Sequence, residues 1–415
     1  MEPRPATTAV TYRYERLRAV ATGIVETAGQ TFLLLIAVRV LQAGPTAKAL
    51  ISSGQSFGLM LSVLTVVVVA QRAWLPARVA AWLAAFGAGC FALMACWPTV
   101  TVFVLAGIGA LAGTAMAIPL LTQIYHDNYP ATQRGRLFAR AIIIRVAFAA
   151  VFSEAAGRFL TGDLSGRYRW LLVVYAAGLA FASYCLARVP SQPLTPTASL
   201  HPLRAMRFVQ SDPVFRLTLI SWMFMGFANL MMLPLRVEYL ANPRYGLTLS
   251  TGMVALLVGV IPNAARLVMS PVWGWAFDRL NFFALRVTLN MGFAVGIVAF
   301  FSSDSMFGLV LGAVVFGIGL AGGDVAWNLW VTKFAPPERV ADYMSVHTFF
   351  TGLRGLVAPL VAFHLAAHVS LPVMGGISAA MILVASAILF REVKLGKSPD
   401  PGTELVEQSA RANGP

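Results

Sequence analysis

The stretch Leu59-Met60-Leu61-Ser62-Val63-Leu64-Thr65-Val66-Val67-Val68-Val69-Ala70 decides the fold class. A strand of a membrane barrel alternates apolar and polar residues over about 10 positions, and this run is apolar on every face. With no water to serve its backbone, such a segment is stable in lipid only as a helix, whose N–H and C=O groups bond within the segment. About 20 apolar residues are needed to cross. Segments of that length and character recur at 18–42, 46–70, 77–97, 99–124, 137–160, 168–188, 215–240, 248–275, 285–302, 306–332, 342–365 and 370–390. Twelve spanning helices separated by short loops are therefore expected, in an all-α polytopic membrane protein.

Composition agrees. Of the 415 residues 58% are hydrophobic and only 12% charged, against about a quarter charged in soluble domains. The mean hydropathy is +0.74. If the N-terminus is cytoplasmic, 21 of the 31 Lys and Arg fall on the cytoplasmic side, seven lie outside or near outer helix ends, and Arg145, Arg266 and Arg354 lie within spans. That asymmetry predicts both termini inside. The formal charge of +14 then reports topology and attraction to an anionic inner leaflet. No basic domain stands apart from the spans to grip a phosphate backbone, so nucleic acid is excluded as a partner. The polar start, including Thr7 to Leu17, predicts no cleavable leader. Cys90, Cys96 and Cys185 all fall in spans, and their odd number and spacing predict neither a disulfide framework nor a zinc site.

The two halves repeat. Gly107-Ile108-Gly109-Ala110-Leu111-Ala112-Gly113 in the fourth span corresponds to Gly317-Ile318-Gly319-Leu320-Ala321-Gly322-Gly323 in the tenth. Tyr129 to Arg134 corresponds to Ala335 to Arg339, and Gln71-Arg72 with Arg78 to Asp278-Arg279 with Arg286. Prolines 190, 193, 196, 202 and 213 mark a linker between them. The organisation expected is a cytoplasmic segment 1–17, a six-helix bundle 18–188, a cytoplasmic linker 189–214, a second bundle 215–391 and a cytoplasmic tail 392–415. A parallel repeat of this kind relates the bundles by an axis along the membrane normal.

Gly274-Trp275-Ala276-Phe277-Asp278-Arg279, followed by Arg286, resembles the cytoplasmic gating motif of the major facilitator superfamily, and the chain resembles that family over residues 15–392. Asn281 stands where the motif's second Gly is usual, and Val67 and Gln71 replace the Gly and Asp of the first-half copy. The loop Pro130 to Arg136 is also similar to that family's. The resemblance implies two bundles rocking about a site near the midplane, lined by spans one, four, seven and ten. It implies that Gly274 allows close helix contact and that Asp278, Arg279 and Arg286 form a charge relay at one gate.

Polar residues within spans mark the expected path, because a charge at the bilayer centre costs about 2.5–3.5 kcal/mol on insertion scales and is expected to face the bundle interior. Glu26 and Gln30, four apart, share a face of the first span. Arg145 and Glu154 lie on the fifth, Asn229 on the seventh, Asn263 and Arg266 on the eighth, Asp324 and Asn328 on the tenth, and His347, Thr351 and Arg354 on the eleventh. At 1.5 Å per residue, Glu26, Arg145, Asp324 and Arg266 are roughly 12–15 Å from the cytoplasmic ends and can meet in one layer. Glu26, Asp324 and Glu154 are candidates for proton coupling, since a poorly hydrated carboxyl titrates nearer neutrality. Gln30, Arg145, Asn229, Asn263, Arg266, Asn328, His347 and Arg354 are candidates for substrate contact, the arginines through a bidentate fork. The competing reading is structural ion pairing, Glu26 with Arg145 or Asp324 with Arg266.

Gly317, Gly319 and Gly322 spell a dinucleotide-like pattern but sit in a span with no strand before it, so close helix packing explains them. Met223, Met225, Met231 and Met232 have no His or Cys partner on their face for a soft metal. His364 and His368 are expected as interfacial caps. No metal, cofactor or catalytic residue is predicted, and no nucleotide motif supplies energy. The function expected is secondary active transport of a small polar or charged organic solute, coupled to protons, by a monomer in the cytoplasmic membrane. Its partners are substrate, protons and lipids. Transport of an amphipathic or lipid-like molecule and a non-transporting scaffold or receptor are the rival readings.

Overall fold

In the computed structural model, residues 5–194, 206–329 and 340–394 are described. They form twelve long helices: α1 (Pro5–Arg39), α2 (Pro45–Gln71), α3 (Pro76–Cys96), α4 (Val100–Asn128), α5 (Ala131–Leu160), α6 (Leu164–Ala187), α7 (Pro213–Ala241), α8 (Thr251–Phe277, continuing to Arg279), α9 (Phe282–Phe301), α10 (Met306–Leu329), α11 (Val340–Leu365) and α12 (Leu371–Lys394). Eleven are long and apolar enough to cross a membrane. The other, α5, is 30 residues long but carries Arg134, Arg136, Arg140, Arg145, Glu154 and Arg158. The chain is an integral membrane protein, and no strand occurs among the described residues.

Helix starts follow local chemistry. Pro45, Pro76 and Pro213 occupy first-turn positions where the missing N–H costs nothing. Thr99, Asp163, Asp212 and Ser250 accept a first-turn N–H through their side chains. Asn281 does the same for Phe283 and Ala284. The departure from the expected Gly is thus the N-cap of α9.

The packing partners inside the two bundles correspond one for one. In the first, α1 packs on α5 and α6, α2 on α4, and α3 on α4 and α6. In the second, α7 packs on α11 and α12, α8 on α10, and α9 on α10 and α12. The seams between the bundles obey the same repeat, α2 against α11 and α5 against α8. Glycine makes several crossings possible. A Cβ on Gly58 of α2 would lie 2.3 Å from the Ala112 carbonyl oxygen of α4, and one on Gly317 of α10 would lie 2.4 Å from that of Pro262 in α8. Gly319 and Gly322 press on Phe293, Leu289 and Trp273 in the same way, as the packing reading of that motif requires.

Two helices carry a π-helical turn at mid-span, Ala28–Phe32 in α1 and Leu256–Val260 in α8, and these turns meet at the boundary between bundles. Among the described residues, the inter-bundle contacts lie level with Glu26 or toward the face opposite the termini. Gly352 and Gly355 of α11 close on Ser56 and Met60 of α2, and Gly157 and Gly259 pair α5 with α8 through Ala255 and Ser153. At the far end Lys48 Nζ is 2.6 Å from Glu238 Oε1 in a buried ion pair. Arg39 donates to the carbonyls of Ala241 and Leu249 and to Thr251 Oγ1.

Residues 1–17 do not form a separate segment where they are described. α1 begins at Pro5, and its first turns are tied to the end of α4: Thr8 Oγ1 donates to the Asn128 carbonyl at 2.7 Å, and Arg18 bonds both Glu15 and the Tyr125 hydroxyl. Glu15 is buried because Arg18 neutralises it, a pairing that hydropathy alone does not register. Burial also pushes the Tyr129 hydroxyl at the α4–α5 junction well above its usual range. Most of the linker, residues 195–205, lies outside the described residues, as do Ala335 to Arg339 and the tail beyond 394. Cys90 and Cys185 are buried and unpaired and Cys96 is exposed. Trp74, Trp97 and Trp170 are exposed near helix ends, as interface anchors are.

Candidate substrate and coupling site

Four of the residues expected in one layer meet there. Gly23, one turn before Glu26, lets α1 touch the backbone of α5, where a Cβ would lie 2.3 Å from the Arg145 carbonyl oxygen. That approach brings Glu26 Oε2 to 3.1 Å from Arg145 Nε. Glu26 Oε1 accepts from Arg266 Nη1 at 2.9 Å across the boundary between bundles, and Arg266 Nε donates to Asp324 Oδ2 at 2.6 Å. The result is a chain of alternating charge, Arg145–Glu26–Arg266–Asp324, contributed by α5, α1, α8 and α10. Gln30 Nε2 adds a bond to Glu26 Oε1 at 2.8 Å, and Asn263 Nδ2 approaches Gln30 Oε1 at 3.5 Å.

The two ionic pairings weighed from the sequence therefore occur together, with Arg266 joining them. Two carboxylates and two guanidiniums sum to zero, which removes the electrostatic objection to four ionised groups inside a membrane. Such a chain is stable only while complete, because deleting one partner of a buried pair strands a charge. The side chains are graded in exposure: Arg266 8%, Glu26 19%, Arg145 37% and Asp324 42%. The middle of the chain is shielded and its outer members are partly exposed.

The remaining candidates divide. Asn229 of α7 keeps a buried side-chain oxygen without a hydrogen bond. Asn328 is on α10, and its side chain lies outside the described residues. Glu154 does not join the layer. It pairs with Arg158 at 2.6 Å, both partly exposed near the far end of α5, because the i,i+4 neighbour on its own helix is nearer than any inter-bundle cation. His347 and Arg354 also lie apart, in the interior of the second bundle. The His347 ring is 5.1 Å from that of Trp222 and 5.8 Å from that of Trp327, and Arg354 Nη1 donates to the Trp222 carbonyl.

The gating motif departs from expectation at two positions. Arg286 is not at a membrane surface. It is fully buried on α9 with its guanidinium 3.5 Å from the Trp222 ring centroid, while that of Arg354 is 5.8 Å from the same ring. An aromatic face is an alternative home for a guanidinium that no sequence spacing announced. Gly274 makes no close helix contact, since a Cβ there meets nothing within 4 Å among the described residues. Arg279 stacks 5.1 Å from the Trp275 ring, and the side chain of Asp278 lies outside the described residues. Sequence reasoning also missed the far-side pair, Lys48 with Glu238, although an acid near the end of a span is itself a signal. Among the described residues no group of three His, Cys, Asp or Glu side chains is arranged to hold a metal.

Two repeated six-helix bundles thus meet across a charged boundary formed by α1, α5, α8 and α10. The sequence profile of the Major Facilitator Superfamily matches residues 257–413. The fold is similar to that of the nucleoside transporter NupG, with a TM-score of 0.72 at 13% identity over 91% of this chain and 98% of that one. It is similar to the D-xylose-proton symporter, 0.67 at 16% over 92% and 95%. It is also similar to a POT family transporter in complex with a thioalcohol-conjugated peptide, 0.67 at 14% over 95% and 97%. No curated protein matches the sequence. The sequence match covers the second half of the chain, and the likeness of fold covers nearly all of it.

Proposed function

We propose that this protein is a secondary active transporter that moves a small polar or charged organic solute by alternating access, coupled to protons. It resides in the cytoplasmic membrane with both termini inside. The observation that carries the proposal is the Arg145–Glu26–Arg266–Asp324 chain, because it places titratable carboxyls on the bond that joins the two bundles. Protonating Glu26 or Asp324 removes a charge that Arg266 needs. The inter-bundle link then weakens while the helices themselves stay intact, which is how proton occupancy becomes a bias between two arrangements of the bundles. Gln30 holds the Glu26 carboxylate in place and is itself met from across the boundary by Asn263.

The seam contacts, which lie level with Glu26 or toward the far face, support reading the structure as open toward the termini. Arg145 and Asp324 would then line the cavity that receives the solute. The similarity to a symporter whose name includes protons supports coupling by analogy of fold only. The apolar groove formed by Leu61, Leu64, Val68, Trp74, Val79 and Met116 lies within the first bundle, and none of the four charged residues lines it.

The test is uptake of a metabolite pool into proteoliposomes, read by mass spectrometry, with and without an imposed pH gradient, alongside Glu26→Gln and Asp324→Asn. Accumulation that requires the gradient and is lost in either variant is expected. Flux equal to that of empty vesicles for every solute would reject transport. Accumulation indifferent to the gradient would reject coupling.

A further inference from the structure

We propose that the cleft on the face opposite the termini binds a small polar solute bearing one anionic group, a carboxylate or a phosphate, held on Arg39. The cleft encloses about 680 Å³, within the range of about 300–1,000 Å³ usual for small-molecule sites. Its walls come from both bundles, from residues between 38 and 48 on one side and between 241 and 250 on the other. None of Glu26, Arg145, Arg266 and Asp324 lines it. Arg39 lies 13 residues after Glu26 on α1, about 20 Å at 1.5 Å per residue, so the cleft is separate from the four-charge chain.

The sign of the ligand follows from the charges at the cleft. α1 and α7 end there and α2 and α8 begin there, so the helix dipoles offset one another and the side chains decide. No Asp or Glu is among the lining residues. Lys48 is neutralised by Glu238. Arg39 is not, because its acceptors are the Ala241 and Leu249 carbonyls and the Thr251 hydroxyl, and it pairs with no carboxylate among the described residues. The cleft therefore carries one half-buried positive charge in excess. Of the five guanidinium N–H groups three are spent on those acceptors, and one on each terminal nitrogen is left for the oxygens of an anion. Ser250 Oγ accepts the Met253 N–H, which leaves its own O–H to donate. A cation is repelled by Arg39, and a neutral solute leaves its charge uncompensated. The backbone points the same way. Gln42 and Thr248, one from each side of the cleft, adopt left-handed φ angles of 46° and 36°. That conformation is costly for residues other than glycine, above all for a β-branched one, and strain of this kind gathers at ligand clamps.

Isothermal titration of the full chain in neutral detergent compares inorganic phosphate, gluconate and glucose 6-phosphate with glucose and choline. The anions are expected to bind and the two controls not. Arg39→Gln is expected to weaken the anions by about ten- to a hundredfold, the worth of charge-assisted bonds, and Arg39→Lys, which keeps the charge, by less. Gln42→Glu asks the same question without disturbing a packed residue, since Gln42 is exposed. A carboxylate added to the lining is expected to weaken the anions by about tenfold or more. An anionic lipid headgroup offers the same chemistry, and native mass spectrometry with phosphatidylglycerol separates the two sources. Retention of lipid that is lost in Arg39→Gln assigns the site to a headgroup, and retention equal in parent and variant assigns it to the soluble anion. Glucose or choline binding as well as the anions, anion affinity unchanged in both Arg39→Gln and Gln42→Glu, or no binding of any probe overturns the proposal. Transport plays no part in this readout, so failure here leaves the transport reading standing.

Discussion

Arg266 touches acidic groups in both bundles, at 2.9 Å on Glu26 and 2.6 Å on Asp324, so its removal costs two ion pairs at once. Arg266→Ala leaves two carboxylates without their shared cation, and breaking one buried pair costs about 3–5 kcal/mol. The variant is therefore expected to unfold at clearly lower temperature in detergent, with Glu26→Gln and Asp324→Asn each restoring part of the loss when added. A single variant as stable as the parent would mean that the chain contributes nothing to holding the bundles. The layer was legible in the sequence because a helix fixes depth by residue count, and Glu26, Arg145, Arg266 and Asp324 lie at similar depth. Glu154 lies apart from the layer, paired with Arg158 one turn away, a neighbour that counting charges in spans does not weigh. The burial of Arg286 was not legible for a different reason. It depends on a stack over Trp222, a tertiary contact between α9 and α7 that no periodicity encodes.

At the scale of elements, the crossings of α2 with α4 and of α8 with α10 are the same crossing made twice, each by one glycine against a backbone carbonyl. Gly58→Ala and Gly317→Ala must push a helix aside, since backbone atoms at 2.3 and 2.4 Å from the new Cβ cannot rotate away. Overpacking of this kind costs about 1–3 kcal/mol. Both variants are expected to lower the apparent melting temperature. Gly292→Ala on α9, where a Cβ meets nothing within 4 Å, is expected to be neutral or mildly stabilising, because alanine holds a helix better by about 0.5–1 kcal/mol. Equal melting temperatures for all three would refute the packing argument. The helices themselves were legible from apolar length, and the repeat from the Gly107 and Gly317 motifs, because lipid imposes both. The first turns of α1 were not. Arg13, Glu15 and Arg16 make 5–17 look like a polar lead-in, and the contacts of Thr8 and Thr11 with Asn128 and of Arg18 with Tyr125 show a helix docked on α4. The π-helical turns at Ala28–Phe32 and Leu256–Val260 were also beyond sequence reading. Such turns recur at functional sites, and these two flank Glu26 and Arg266.

At the scale of the molecule, the buried Lys48–Glu238 pair joins the two bundles on the far face. Asn242 Nδ2 donates to the same Glu238 oxygen at 2.7 Å, and Arg39 reaches three acceptors of the second bundle nearby. Together they border a cleft of about 680 Å³ lined by Gln42, Asn242 and Ser250 among others. Shifting a two-state equilibrium from 1:99 to 99:1 takes about 5.5 kcal/mol, and breaking one buried pair supplies about 3–5 kcal/mol of that. Glu238→Gln should therefore turn a rare far-side-open arrangement into a well-populated one without unfolding either bundle. Spin labels at Gln42 and Ser250, on opposite bundles across the cleft, report it directly. The parent is expected to give one short distance, and Glu238→Gln a second, longer one. The charge swap Lys48→Glu with Glu238→Lys should suppress that longer distance again, because it restores the pair with its polarity reversed. If the longer distance is absent in Glu238→Gln, the far face is held by helix packing at Gly157, Gly259, Gly352 and Gly355 and not by charge. If it persists in the swap, the effect came from disturbing Asn242 and not from losing the ion pair.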